Sequence, residues 1–358
     1  MVVVRKFRVL IVDDSELMRQ LLTQILRSHD ELEVVGAAED PYQAREKVKQ
    51  LNPDVLTLDI EMPKMNGIAF LRNLMRLRPM PVVMISTLTE KGAPASLTAL
   101  ELGALDYIAK PATTELAKLT QFGQEVCQKV VHAAKSKETM LRLIASNKQQ
   151  ATAPKQSNQT SYLFKPGYII AIGASTGGTE AIKRVVCDLP ANMPPIVITQ
   201  HMPAMFATSF AHRLDAMSHM KVYEAKDQQK ITSGCIYLAP GDKHMLVEKR
   251  AGDYYCCLDD SEPVNRHKPS VEVLFNSIAQ LGSKKALGVM LTGMGADGAQ
   301  AMLNMRMAGQ MTLAQDEKTS VVWGMPGAAY KVGATDNLLP LQKIGPALIK
   351  LLSRPVAK

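Results

Sequence analysis

Two α/β domains, each a doubly wound parallel sheet, joined by a basic linker: this is the fold class that the sequence predicts. Three observations carry it. Short apolar runs alternate with helical patterns over residues 1–130, the alternation stops across 131–166, and it resumes with more glycine over 167–358. A chain of 358 residues also suits two domains at the usual ~150 residues each.

In the first region the apolar runs fall at residues 8–12, 33–37, 55–58, 82–86 and 107–109. Between them lie segments such as 17–26, with apolar positions three and four apart, the spacing of one helix face. Five such βα repeats imply a parallel sheet covered on both faces. From about Lys135 to Pro166 the chain reads KSKETMLRLIASNKQQATAPKQSNQTSYLFKP, in which few residues support a core. It reads as an extension of the last helix running into a flexible linker. After Gly167 the runs are 168–172, 196–199, 236–238, 245–247, 286–291 and 311–314, with helical patterns at 179–186, 204–214, 271–279 and 299–307. No period of 20–50 residues repeats, which excludes a solenoid.

Composition is that of an ordinary globular protein. No apolar stretch reaches the ~18 residues that a bilayer span needs, so membrane insertion is not expected. The opening MVVVRKFRVLIVDD lacks a small-residue cleavage site, so the expected location is cytoplasmic. Five cysteines without a CxxC pair read as reduced, packed thiols, and no Cys/His spacing fits zinc. A formal charge of +8 favours an acidic partner.

In open α/β sheets, ligands collect beyond the carboxyl ends of the strands. The first run ends in Asp13 and Asp14, the third in Asp59, the fourth in Ser86, and the fifth leads to Lys110. Three carboxylates at one sheet edge repel one another unless a cation neutralises them or one is protonated. All-oxygen ligation of this kind suits Mg²⁺ beside a phosphoryl group. An aspartate there can be the nucleophile toward a phosphoryl donor, with a lysine and a hydroxyl holding the new oxygens.

The stretches VLIVDDSELMRQLL, DVLTLDIEMPKMNG, PVVMIST and GALDYIAKP resemble the receiver domain of two-component response regulators, a flavodoxin-like fold. The resemblance implies that Asp59 accepts phosphate. It also implies that Asp14, Asp59 and the backbone carbonyl of Glu61 hold Mg²⁺, with Asp13 helping through water. Ser86 and Lys110 are implied to sense the phosphoryl group, and Tyr107 occupies the position of the switch aromatic.

In the second region, GASTGG (residues 173–178) follows an apolar run. It lacks both the G-x-G-x-x-G fingerprint and the Gly-Lys-Ser/Thr ending of a P-loop. It does satisfy G-x-S-x-G between a strand and a helix, the context of a nucleophile elbow, which would leave the Ser175 hydroxyl exposed. A serine needs a base, and the next run ends at His201. An imidazole needs an orienting carboxylate, and TGMGADG after the run at 286–291 carries Asp297. Spacing alone leaves Asp242 or Asp260 as alternatives to Asp297, and His244 or His267 as alternatives to His201.

The stretches IGASTGGTEAI, QHMPAMFATSFAHRLD, APGDKHMLV, VNRHKPSVEVLFNSIA, LTGMGADGAQAM and GMPGAAY resemble the catalytic domain of chemotaxis protein-glutamate methylesterases, the CheB family. The resemblance implies a triad of Ser175, His201 and Asp297, with oxyanion stabilisation by the Met294 N–H and Thr176. Arg266 and His267 fall in a motif near the cleft, in substrate contact or packing. The implied activity is phosphorylation-stimulated hydrolysis of γ-glutamyl methyl esters, and deamidation of glutamines, on the cytoplasmic helices of chemoreceptors. A chemotaxis histidine kinase is the implied phosphodonor, and the ester chemistry itself needs no cofactor. The alternative is a receiver that acts as a binding module or phosphate sink with an inactive esterase-like domain. A DNA-binding regulator is disfavoured, because the second region far exceeds a helix-turn-helix module, and no nucleic-acid partner is expected.

Overall fold

Parallel strands that are covered on both faces are mostly apolar, and those of the first unit are so apart from Arg8, Glu33, Thr57, Ser86 and Asp106. They are β1 (Phe7–Val12), β2 (Leu32–Ala38), β3 (Val55–Leu58), β4 (Val82–Ser86) and β5 (Asp106–Ala109). The intervening helices are α1 (Glu16–Arg27), α2 (Pro41–Leu51), α3 (Gly67–Leu77), α4 (Ala93–Glu101) and α5 (Leu116–Lys135). A further helix, α6 (Lys137–Gln150), lies within the segment read above as a linker. The computed structural model describes residues 5–62, 65–87, 93–111, 115–150 and 162–354. It divides into two units, 1–152 and 153–358. The middle of the expected linker, residues 151–161, lies outside the described residues.

The first sheet has the order β2-β1-β3-β4-β5 with every pair parallel. Its switch point lies between β1 and β3, where ligands collect in such sheets. Helix starts are encoded locally. Ser15 caps α1, Asp40 caps α2 by accepting from the N–H groups of Tyr42 and Gln43, and Asn66 caps α3 through Ala69. Val9, Leu10, Ile11, Leu56 and Leu58 are fully buried beneath these helices. Each such side chain contributes about 1.5–3 kcal/mol.

The second unit holds β6 (Ile169–Ala174), β7 (Ile196–Gln200), β8 (Lys221–Glu224), β9 (Gln229–Ile231), β10 (Cys235–Leu238), β11 (His244–Arg250), β12 (Asp253–Asp259), β13 (Ala286–Met290), β14 (Met311–Gln315) and β15 (Leu338–Leu339). Its helices are α7 (Gly178–Val186), α8 (Ala204–Met217), α9 (Val271–Ala279), α10 (Ala299–Met307), α11 (Met325–Lys331) and α12 (Leu341–Leu352). The main sheet is parallel, in the order β15-β14-β13-β6-β7-β10-β8. The apolar run at 245–247 belongs instead to a separate antiparallel sheet, β11-β12-β9. Met245, Val247 and Cys256 of this sheet are buried, while Glu248, Lys249 and Arg250 at the end of β11 are exposed.

Two glycines set the approach of α9. A Cβ at Gly173, on β6, or at Gly298, before α10, would collide with Val271 at the start of that helix. Their absence of side chain lets α9 cross close to the strand ends, with Leu274, Phe275 and Ile278 in the core. The position of α9 decides the geometry of the site.

Candidate functional site

Ser175 follows β6 directly, His201 follows β7 directly, and Asp297 sits in the glycine-rich loop after β13. These strands are neighbours in the order β13-β6-β7. From β6 the chain proceeds to β7 on one side and later returns to β13 on the other, so the connecting loops diverge there. In open α/β sheets ligands collect at such a divergence.

The Ser175 Oγ lies 3.1 Å from His201 Nδ1, and His201 Nε2 lies 2.8 Å from Asp297 Oδ2. A carboxylate only accepts, so the neutral ring carries its proton on Nε2 and presents the Nδ1 lone pair to the serine hydroxyl. The backbone reinforces this alignment. The His201 N–H donates to the Ala174 carbonyl at 3.1 Å, and the Ser175 N–H donates to the Thr292 carbonyl at 3.0 Å. The buried Gln200 amide donates to the Ser175 and His201 carbonyls, at 3.0 and 3.1 Å.

Asp297 is only 3% exposed and is surrounded by donors. Oδ2 accepts from the Val271 N–H (2.7 Å) as well as from His201. Oδ1 accepts from Ser270 Oγ (2.7 Å), Asn265 Nδ2 (2.8 Å) and the Glu272 N–H (3.3 Å). Two of these are the first N–H groups of α9, whose dipole favours an anion. Burial works to raise this carboxyl. The bond and charge of His201, then Asn265 and Ser270, outweigh it and bring Asp297 to about 2.

Ser175 is half-buried, and the left-handed residue of the turn is Gly177, with φ 74°. Ser175 itself does not take a positive φ. Gly293 packs so close that a Cβ there would lie 2.8 Å from the Ser175 Cβ, which brings the loop bearing Met294 against the serine. Met294 is half-buried, and Thr176 is buried with its carbonyl accepting from Thr292 Oγ1 at 3.1 Å.

The competing residues lie elsewhere in the network. His244 is fully buried, with Nδ1 accepting from the Ser270 N–H at 3.1 Å and Nε2 3.1 Å from the Glu262 carbonyl. Asp260 pairs with Lys268 at 2.8 Å on the surface, and Asp242 is exposed. His267 stacks on His201. Sequence reasoning missed Asn265, Ser270 and the α9 N-terminus as partners of Asp297. A proline followed by Ser270 and an apolar-periodic run is a legible helix start. Its meeting with Asp297 is a tertiary event.

In the first unit, Asp13, Asp14 and Asp59 offer carboxylate oxygens that all lie within 4.8 Å of one another. Asp13 and Asp59 are buried and Asp14 is exposed. Lys110 Nζ lies 2.8 Å from Asp13 and 2.5 Å from Asp59. Burial works to lower this ammonium, but the two carboxylates prevail and hold it above its ordinary value. Burial, aided by the charge of Asp59 and opposed by Lys110, raises Asp13. Three carboxylates against one lysine leave an excess of negative charge among hard oxygen donors, which fits a divalent cation. The Asp59 Oδ1 accepts from the Ile60 N–H at 2.6 Å, and the Tyr107 hydroxyl donates to the Ser86 carbonyl at 2.8 Å. Arg19 braces the Asp13 and Asp14 carbonyls, a role unread in the sequence. At Gly67, too, a Cβ would collide with the Asp59 carbonyl.

The fold and the two sites define a class: a serine-hydrolase domain carried with a response-regulator receiver domain. Residues 170–348 match the model of the CheB methylesterase family and residues 9–121 match the response regulator receiver domain. The chain belongs to the CheB methylesterase family. It is 58% identical, over 97% of its length and 99% of the relative's, to protein-glutamate methylesterase/protein-glutamine glutaminase 2 of Saccharophagus degradans. It is 50% identical to the protein-glutamate methylesterase/protein-glutamine glutaminase of Hydrogenovibrio crunogenus, over 98% of this chain and all of that one. The crystal structure of the Thermotoga maritima CheB methylesterase catalytic domain is 38% identical, with a TM-score of 0.51, covering 52% of this chain and 100% of that one.

Proposed function

We propose that this chain hydrolyses γ-glutamyl methyl esters, and deamidates glutamines, on the cytoplasmic helices of chemoreceptors, and that phosphorylation of Asp59 raises its turnover. The observation that carries the reading is the relay of Ser175, His201 and Asp297, with contacts of 3.1 and 2.8 Å, in a chain related end to end to methylesterases. The assignment divides the chain into a receiver domain (residues 1–130), a linker (131–166) and a catalytic domain (167–358), working in the cytoplasm.

In this mechanism Ser175 Oγ attacks the ester carbonyl while His201 Nδ1 takes its proton. Charge developing on the carbonyl oxygen is met by the Met294 N–H and by Thr176. Methoxide is too basic to leave unaided, so His201 returns the proton and methanol departs. Water, deprotonated by the same nitrogen, then cleaves the glutamyl-enzyme and releases a receptor carboxylate. A glutamine follows the same course with ammonia as the leaving group. Asp297 stays ionised throughout and offsets the charge on the imidazolium. The positive balance of the chain suits a receptor surface rich in Glu.

On the receiver, Asp59 is the phosphate acceptor and a chemotaxis histidine kinase is the donor. Asp14, Asp59 and the Glu61 carbonyl, with Asp13 through water, would hold Mg²⁺, which offsets charge on the phosphoryl oxygens. Lys110, which now meets Asp13 and Asp59, transfers to a phosphoryl oxygen, Ser86 meets another, and Tyr107 responds to the change beside it.

Methanol release from methylated receptor, measured with and without acetyl phosphate, tests the proposal. In the Asp59→Asn variant the ratio of stimulated to unstimulated release should fall to one. A variant that still responded to acetyl phosphate would remove Asp59 from the assignment.

A further inference from the structure

We propose that His267 is a positioning residue for His201: its ring, laid flat on the base, keeps that imidazole in the plane joining Ser175 to Asp297. The inference rests on the esterase reading above. The two rings lie 3.7 Å apart, centroid to centroid, and are 12° from parallel. The bonds at Nδ1 and Nε2 fix His201 within its own plane. They resist tilting out of that plane less well, because a hydrogen bond tolerates moderate bending. A second ring on one face blocks the tilt on that side.

The way His267 is held points the same way. Val264 and His267 exchange backbone hydrogen bonds, with the Val264 N–H donating at 3.1 Å and the His267 N–H donating at 2.9 Å. The two residues between them, Asn265 and Arg266, have φ of 53° and 67°. Left-handed backbone at both central positions makes a tight turn that glycine or asparagine adopts readily and arginine does not. Such strain persists where surrounding contacts over-determine it. Here those contacts are with the relay itself. Asn265 Nδ2 donates to Asp297 Oδ1 at 2.8 Å, while His267 covers His201. One turn of four residues thus touches both the base and the carboxylate that orients it.

The test uses the full chain and two readings: methanol release from methylated receptor, and the rate at which phenylmethanesulfonyl fluoride sulfonylates Ser175. His267→Ala should lower kcat about 10- to 100-fold, the usual effect of a misplaced reacting group. KM should stay within roughly twofold, since no ground-state binding is removed. Sulfonylation should slow in parallel. His267→Phe keeps a flat ring without a titrating nitrogen and should recover most of the loss. Thermal unfolding of the catalytic unit checks that both variants are folded. Wild-type kcat and sulfonylation in His267→Ala would overturn the proposal. So would a loss confined to KM, which marks a substrate contact, or a His267→Phe no better than the alanine. A wild-type chain that is sulfonylated but releases no methanol would sink the esterase reading instead, and the sulfonylation rates would still decide the role of His267.

Discussion

Replacing Ser175 with alanine should abolish methanol release, with kcat falling roughly a million-fold, the scale seen when the nucleophile of a serine triad is removed. Among the described residues, its side chain hydrogen-bonds to His201 Nδ1 alone. The Cβ that packs beside Gly293 remains in alanine. Folding should therefore be untouched, and Asp59 should still be phosphorylated, because it lies on a separate unit. Release of methanol by Ser175→Ala at the wild-type rate would show that another group attacks the ester.

The second large effect is expected at Asp297, where Asp297→Asn should lower kcat about 10⁴-fold by favouring the wrong tautomer of the base. It should also destabilise the catalytic unit. Both oxygens of Asp297 accept from N–H groups: Val271 and His201 at Oδ2, and Asn265 and Glu272 at Oδ1. An asparagine must turn its NH₂ toward one of these sets, so either orientation opposes donor to donor. The linkage agrees in sign. The folded carboxyl sits near 2, below its ordinary value of 3.8. It thus contributes about 2 kcal/mol, present above pH ~4 and lost as pH falls through ~2. Denaturant unfolding at neutral pH should show this loss in Asp297→Asn, and the deficit relative to wild type should shrink on acidification. Equal stability of the two proteins at pH 7 would contradict the cradle of donors around Asp297.

Much of this architecture was legible because parallel α/β sheets place chemistry at strand ends. The run at 8–12 leads to Asp13, and the run at 196–199 leads to His201; a strand end is a local signal. The antiparallel sheet β11-β12-β9 was not separated from the rest, because β9 spans only Gln229–Ile231 and its pairing is non-local. His244 and His201 looked equivalent, since each adjoins an apolar run. Burial and the donors around each ring distinguish them, and neither leaves a mark in residue type. Ser270 announced the start of α9 through its capping preference, whereas the ligand of that helix end lies 27 positions further along the chain.

By itself, then, the sequence determined two parallel α/β units, the acidic triplet at one sheet edge, and the presence of a serine, a histidine and an aspartate at the ends of three strands. Periodicity and turn chemistry act over a few residues and are written directly in the chain. Only the tertiary structure decided which ring nitrogen of His201 faces the serine, that α9 and Asn265 hold Asp297 ionised, and that His267 covers the base. Those outcomes depend on how closely α9 and the turn at 264–267 approach β6 and β7. That approach is set by packing between residues about a hundred positions apart, as at Gly173 against Val271.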